Sequence, residues 1–173
     1  MCNNRPLCVA IRHGNLDVVR LLIKLRVNLN KRCLTGHYPL LIAVLANETD
    51  IVKTLIDNNA DVNSISKSKN SPLILATYKR NTVAMKSLIR AGANINFKDE
   101  EGVTALVEAV NAQHLDAVKL LLEFDADPNI RDNYGDTVLH SPVVQSDRAI
   151  LKVLLDAGAD KSLCNFSGEF PKI

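Results

Sequence analysis

Apolar and polar positions in this chain repeat with a spacing of 33 residues. Arg5-Pro6-Leu7, Tyr38-Pro39-Leu40, Ser71-Pro72-Leu73, Thr104-Ala105-Leu106 and Thr137-Val138-Leu139 open five successive units. A second anchor keeps the same phase in Val27-Asn28-Leu29-Asn30, Ala60-Asp61-Val62-Asn63, Ala93-Asn94-Ile95-Asn96, Ala126-Asp127-Pro128-Asn129 and Ala159-Asp160-Lys161-Ser162. Between the anchors the pattern is helical. A short apolar stretch, with Ala10, Ala43, Ala76 and Ala109 in one slot, precedes a longer amphipathic one such as Asp17–Ile23, Ile51–Ile56 or Ala117–Leu122. Apolar residues three and four apart mark one buried face of a helix.

Local signals fix the ends of these helices. Proline suits a first helical turn, where its φ is preset and its missing N–H costs nothing. Ser71 and Thr104 stand where a hydroxyl caps that turn. Asn59, Gly92, Asp125 and Gly158 tolerate the left-handed conformation that closes a second helix. Gly36, Gly102, Gly135 and Gly168 fall in the turn of the following hairpin-like tip, and Lys69 replaces glycine in the third. In the fifth unit Pro142 takes the alanine slot, which predicts a shortened or distorted first helix, since an interior proline costs ~3 kcal/mol.

Two anchors held in phase five times resemble the ankyrin repeat, a turn-plus-two-helices unit of this length. The resemblance covers essentially the whole chain. It implies an all-α solenoid of stacked helix-turn-helix units joined by β-hairpin-like loops. The units run over about 1–32, 33–65, 66–98, 99–131 and 132–164, with a partial sixth at 165–173, in one domain spanning 1–173. No unit buries its apolar faces alone, so neighbours must stack. The first unit lacks its own hairpin and reads as an N-terminal cap. The sixth stops inside its first helix with no polar cap, which points to continuation beyond Ile173. The fifth unit is therefore expected to be the least protected, with Ile150, Leu151, Leu154 and Leu155 opening before Leu21, Leu22, Leu55 and Ile56.

Composition narrows the function. Aromatic content is 4% with no Trp, so the core must come from Leu, Val, Ile and Ala. A net charge of +2 gives no overall drive toward nucleic acid or membrane, and no apolar run approaches the ~18 residues of a membrane span. Cys2, Cys8, Cys33 and Cys164 show no metal-ligand spacing and read as free thiols in a reducing compartment, cytoplasmic or nuclear. No cofactor motif or metal site is expected. The four histidines, His13, His37, His114 and His140, occupy non-equivalent slots. The resemblance explains two of them: His114 lies at the start of a second helix, and His140 matches the His of the family's Thr-Pro-Leu-His motif. Glu100 and Glu101 fall on a solvated tip, where nothing separates their pKa values for acid–base work with Glu108. An enzyme is not indicated.

Charge alternates along the chain: residues 1–33 carry +6, 34–66 carry −3, 67–99 carry +6, 100–132 carry −6 and 133–173 carry −1. Attraction between neighbouring units accounts for this, as does a partner of matching alternation. Arg12, Lys67, Lys69, Lys79 and Arg80 could meet phosphates, but no aromatic residues interleave with them and the acidic fourth unit opposes nucleic acid. Ankyrin-repeat proteins engage other proteins through hairpin tips and exposed first-helix positions, the concave face. By phase the helix ladder reads Arg12, Leu45, Tyr78, Asn111, Val144, flanked by His13, Ala46, Lys79, Ala112 and Gln145. Tip positions include Thr35, His37, Lys67, Ser68, Asn70, Glu100, Glu101, Val103, Asn133, Tyr134 and Asp136. Leu45, Tyr78, Tyr134 and Val144 would form an apolar stripe with a polar rim. The resemblance also implies that Asn63, Asn96 and Asn129, with Asn30 ranked lower, occupy the slot that asparaginyl hydroxylases modify. A monomeric scaffold or adaptor binding a protein or extended peptide follows. The alternative is the substrate-recognition domain of a larger enzyme, such as a ubiquitin ligase or kinase, continuing past Ile173.

Overall fold

The structure, a computed structural model, describes residues 5–34 and 36–173; Cys2 and the tip position Thr35 lie outside the described residues. The chain divides into two compact units, one ending at Asn94 and the other running from Ile95 to Ile173. Among the described residues every regular element is helical. The first compact unit holds α1 (Arg5–Arg12), α2 (Leu16–Lys24), α3 (Pro39–Leu45), α4 (Thr49–Asp57), α5 (Pro72–Tyr78) and α6 (Thr82–Arg90). The second holds α7 (Ala105–Asn111), α8 (Leu115–Glu123), a 3-10 turn (Val138–His140), α9 (Pro142–Ser146) and α10 (Arg148–Asp156).

Local chemistry sets each boundary. Pro39 and Pro72 sit in the first turns of α3 and α5. Ser71 Oγ accepts from the Ile74 amide at 3.2 Å, and Thr104 Oγ1 from the Val107 amide at 3.4 Å. Asn15 and Asn81 cap α2 and α6 in the same way, at 3.1 and 2.9 Å. Second helices close on left-handed residues: Arg26, Asn59, Gly92, Asp125 and Gly158 all have φ between 56° and 87°. A second left-handed slot lies between the helices of a pair, at Gly14, Asn47, Arg80 and Gln113. Lys69 takes φ 53° where the other tips have glycine. Glycine at the tips of the second unit answers to crowding as well. A Cβ on Gly102 would meet the Asn133 amide nitrogen at 2.8 Å, and one on Gly135 the Phe166 nitrogen at 2.7 Å.

Within the first compact unit the first helices form one row, α1 on α3 and α3 on α5, and the second helices another, α2 on α4 and α4 on α6. Ala43 and Ala76 are fully buried between first helices, where a larger side chain would hold the row apart. Leu41, Leu55, Met85 and Leu88 fill the space between the rows. Each such side chain contributes about 1.5–3 kcal/mol on leaving water. In the second unit Ala109, Leu106, Leu121 and Leu139 repeat the arrangement, with α8 on both α7 and α10.

Three expectations need correction. Cys8 and Cys33 form a disulfide, Cα to Cα 6.2 Å, and of the described cysteines Cys164 is free. A disulfide in place of two free thiols removes the ground for a reducing compartment. Val144 is fully buried rather than a surface residue. Pro142 ends the 3-10 turn and restarts the helix as the first residue of α9. That shift turns Val144 inward, while Val143, whose counterparts Val44 and Val110 are buried, becomes half-exposed. The distortion expected from Pro142 is thus present, and its consequence is a change of register. Leu21 is 56% exposed, whereas Ile150 and Leu154 are fully covered, so burial does not rank the first unit above the fifth at these positions. Residues 170–173 form no helix.

Candidate partner-binding faces

A single side chain organises each tip. Asp99 Oδ1 accepts from the Glu101 and Val103 amides at 3.0 and 2.8 Å, and Asp132 Oδ1 from Tyr134 and Asp136 at 2.8 and 2.9 Å. Asn165 Oδ1 does the same for Ser167 and Glu169, each at 3.0 Å. Ser66 Oγ accepts from Asn70 at 2.9 Å. Such a short polar acceptor substitutes for a backbone turn and stiffens the loop. Cys33 occupies this slot in the first tip, where its sulfur is tied to Cys8 on α1 instead. The slot was legible as Cys33, Ser66, Asp99, Asp132 and Asn165 at constant spacing, and the anchor pattern passed over it.

Tips are also stapled to one another. Asn133 donates from its backbone to the Glu101 carbonyl at 3.2 Å and from Nδ2 to the Glu100 carbonyl at 2.8 Å. Asp136 Oδ1 accepts from Asn165 Nδ2 at 2.8 Å. Asn70 Nδ2 reaches the Ser68 carbonyl at 3.3 Å. These three residues have framework roles beside any contact with a partner. The Lys67 side chain lies against Gly36. His37 is half-buried, accepts from the Cys33 amide through its carbonyl at 2.8 Å, and has a buried Nδ1 without a hydrogen-bond partner.

On the ladder of the first compact unit Arg12, Leu45 and Tyr78 are exposed at the ends of α1, α3 and α5. Leu45 is 36% and Tyr78 65% exposed, with the Lys79 ammonium 5.8 Å from the Tyr78 ring centre. A cleft of about 190 Å³ lies between α1 and the first tip, lined by Arg5, Cys8, Val9, Arg12, Cys33 and Leu34. In the second unit Asn111 ends α7 and its Oδ1 accepts from Ser141 Oγ at 2.8 Å. Tyr134 is 72% exposed on its tip, and Glu100 and Glu101 are exposed on the tip before it. A smaller cleft of about 120 Å³ is lined by Asp136, His140, Gln145, Asn165, Glu169, Phe170, Pro171 and Lys172. Both clefts run between a first helix and a tip.

Burial raises the Glu108 carboxyl above its usual 4.5, and the nearby Asp99 charge raises it further. Asp160 is held low by hydrogen bonds from the Ser162 hydroxyl and amide. His140 has a framework role. Its Nδ1 accepts from the Thr137 amide at 3.0 Å, which leaves Nε2 protonated and donating to the Glu169 carbonyl at 3.2 Å. Among the described residues no group of three His, Cys, Asp or Glu side chains is placed to hold a metal ion. No helix there is long and apolar enough to cross a membrane.

The asparagines of the second anchor have a structural use. Asn30 Oδ1 accepts from the Asp61 amide at 2.8 Å while its Nδ2 donates to the Asn59 carbonyl at 3.2 Å. Asn63 makes the same pair with Asn94 and Gly92, at 2.8 and 3.1 Å. Asn129 makes it with Asp160 and Gly158, at 2.7 and 3.0 Å. Asn96 Oδ1 accepts from Asp127 at 3.0 Å. Each asparagine clamps its own loop to the helix end and loop of the next repeat.

Helix pairs at constant phase, left-handed closures and clamped loops define a repeat protein. A family model described as ankyrin repeats (3 copies) matches residues 2–66 and 73–164, and the chain belongs to the ankyrin-repeat family. Ankyrin repeats are generally protein–protein interaction modules and are typically non-enzymatic. No curated protein matched the chain.

Proposed function

We propose that this chain is a non-enzymatic protein-interaction module, acting as a scaffold or adaptor. It receives a protein or extended peptide on the faces made by first helices and hairpin tips. One observation carries the reading. Leu45 and Tyr78 stay exposed at the same position of successive first helices, and Tyr134 on a tip, while Leu40, Leu41, Val44, Leu73 and Ile74 of those helices are buried. Exposed aromatic and aliphatic side chains framed by polar neighbours are the anatomy of an interface. Tyrosine suits the anchor role because it combines contact area with a polar tip. Selection of binders from a random peptide library tests this, using Tyr78→Ala and Tyr134→Ala as counter-selections. Each substitution is expected to cost selected peptides about 1–2 kcal/mol without loss of helicity. Affinities unchanged in both variants would place the interface elsewhere.

A further inference from the structure

The acids of the compact unit ending at Asn94 are sorted by element, while its bases occur in first-helix and tip segments and in second helices alike. Its first helices and tips, residues 5–14, 31–47 and 64–80, contain eight Lys or Arg and no Asp or Glu. All five carboxylates, Asp17, Glu48, Asp50, Asp57 and Asp61, belong to α2 or α4, the residue before α4, or the loop after it. The Glu48 carboxylate, which caps no helix amide, lies over Gly14. The sorting reverses in the second compact unit. Its equivalent segments, 97–113 and 130–146, hold two Lys or Arg against six Asp or Glu. Adjacent-unit attraction does not account for first-helix and tip segments without acids while α2 and α4 of the same repeats carry them.

We infer that the first-helix and tip face of residues 5–81 is a receptor for an acidic peptide segment bearing an apolar or aromatic anchor. This rests on the protein-interaction reading above and names the partner's chemistry. Arg12, Lys67 and Lys79 are exposed around Leu45 and Tyr78. The anchor side chain packs against Leu45 and the Tyr78 ring, while flanking carboxylates meet the cations. The α1 cleft extends the surface, with Val9 and Leu34 as apolar walls and Arg5 and Arg12 at its edge. A net charge of +9 over residues 1–94 speeds the approach of an anionic partner, an effect that salt screens.

Fluorescence anisotropy of the full chain with short synthetic peptides tests the assignment. One peptide is Asp/Glu-rich around a Leu-Phe centre, a second replaces the acids by Gln, and a third replaces them by Lys; a single-stranded oligonucleotide of equal charge is the fourth probe. The acidic peptide is expected to bind at least about tenfold tighter than the other three. That margin should shrink with added salt and disappear in Arg12→Glu/Lys79→Glu, with the helical circular dichroism unchanged. Equal binding of the Gln peptide, lost in Tyr78→Ala, would overturn the charge assignment and leave the interaction reading standing. Tighter binding of the oligonucleotide would make this a nucleic-acid surface and overturn the proposal. So would sedimentation showing self-association that Arg12→Glu/Lys79→Glu dissolves, because the occupant is then a second copy. No peptide sensitive to Tyr78→Ala or Leu45→Ala would overturn both readings of this face.

Discussion

Replacing Asn63 by Ala removes two hydrogen bonds at one stroke: the acceptor for the Asn94 amide at 2.8 Å and the donor to the Gly92 carbonyl at 3.1 Å. A net hydrogen bond contributes about 0.5–1.5 kcal/mol. Asn63 is exposed, so water replaces part of what is lost, and the expected cost is about 1–2 kcal/mol. Asn63→Asp separates the two bonds. Its carboxylate still accepts from Asn94 but no longer donates to Gly92, whose carbonyl it then faces. At neutral pH it should be at least as destabilised as the alanine variant. Urea unfolding gives the free energies, and amide exchange should show Asn94 opening faster in Asn63→Ala and little changed in Asn63→Asp. Asn129→Ala should behave alike in the second compact unit, where Asp160 and Gly158 are the partners. A loss within about 0.5 kcal/mol, the spread of ordinary surface substitutions, would show that the clamp adds nothing and refute the account of why asparagine recurs there.

The Cys8–Cys33 bond closes a loop with a sequence separation of 25, so on the chain-entropy model Cys8→Ala/Cys33→Ala should lose about 3.5 kcal/mol. Denaturation midpoints with and without reductant check this, and identical midpoints would mean that the bond is not formed in solution. The raised Glu108 pKa means that the folded state holds this proton more tightly than the unfolded chain. Stability from this group is therefore full below 4.5 and falls as pH rises through the raised value. Glu108→Gln should be more stable than the parent at neutral pH and show a flatter pH profile from acid to neutral; parallel profiles would contradict the assignment. Incubation with an asparaginyl hydroxylase is expected to add one oxygen at each of Asn63, Asn96 and Asn129. The rate should be limited by release of the clamped side chains, and an unchanged intact mass would dispose of the idea.

The helix pairs were readable because their signals are local and repeated: proline or a hydroxyl at the start, a left-handed residue at the end, alanine where helices approach. Pro142 announced a broken helix, but its placement of Val144 in the core depends on where the helix restarts, and three-dimensional packing decides that. Cys8 and Cys33 become partners only once the first tip folds back on α1, so spacing alone left them as thiols. Arg26, Asn47, Arg80 and Gln113 adopt left-handed backbone although two of these residue types carry no such preference. Tertiary closure imposes it there, at a cost of about 1–2 kcal/mol each. Tyr78 and Tyr134 were placed on the surface correctly because they stand in slots whose direction the repeat dictates. Asn70, Asn133 and Asp136 also fall in tip slots but are committed to the tip framework, which sequence phase cannot distinguish from a free contact.

Amide exchange with and without a peptide selected against the intact chain tests the central claim most directly. First-helix ends and tips should gain protection on binding, around Arg12–Gly14, Leu45–Asn47 and Lys67–Arg80 or around Glu100–Val103 and Asn133–Asp136. Exchange in α2, α4, α6 and α10 should be unchanged. Protection confined to those second helices, with the tips unaffected, would place the partner on the opposite side and contradict the account.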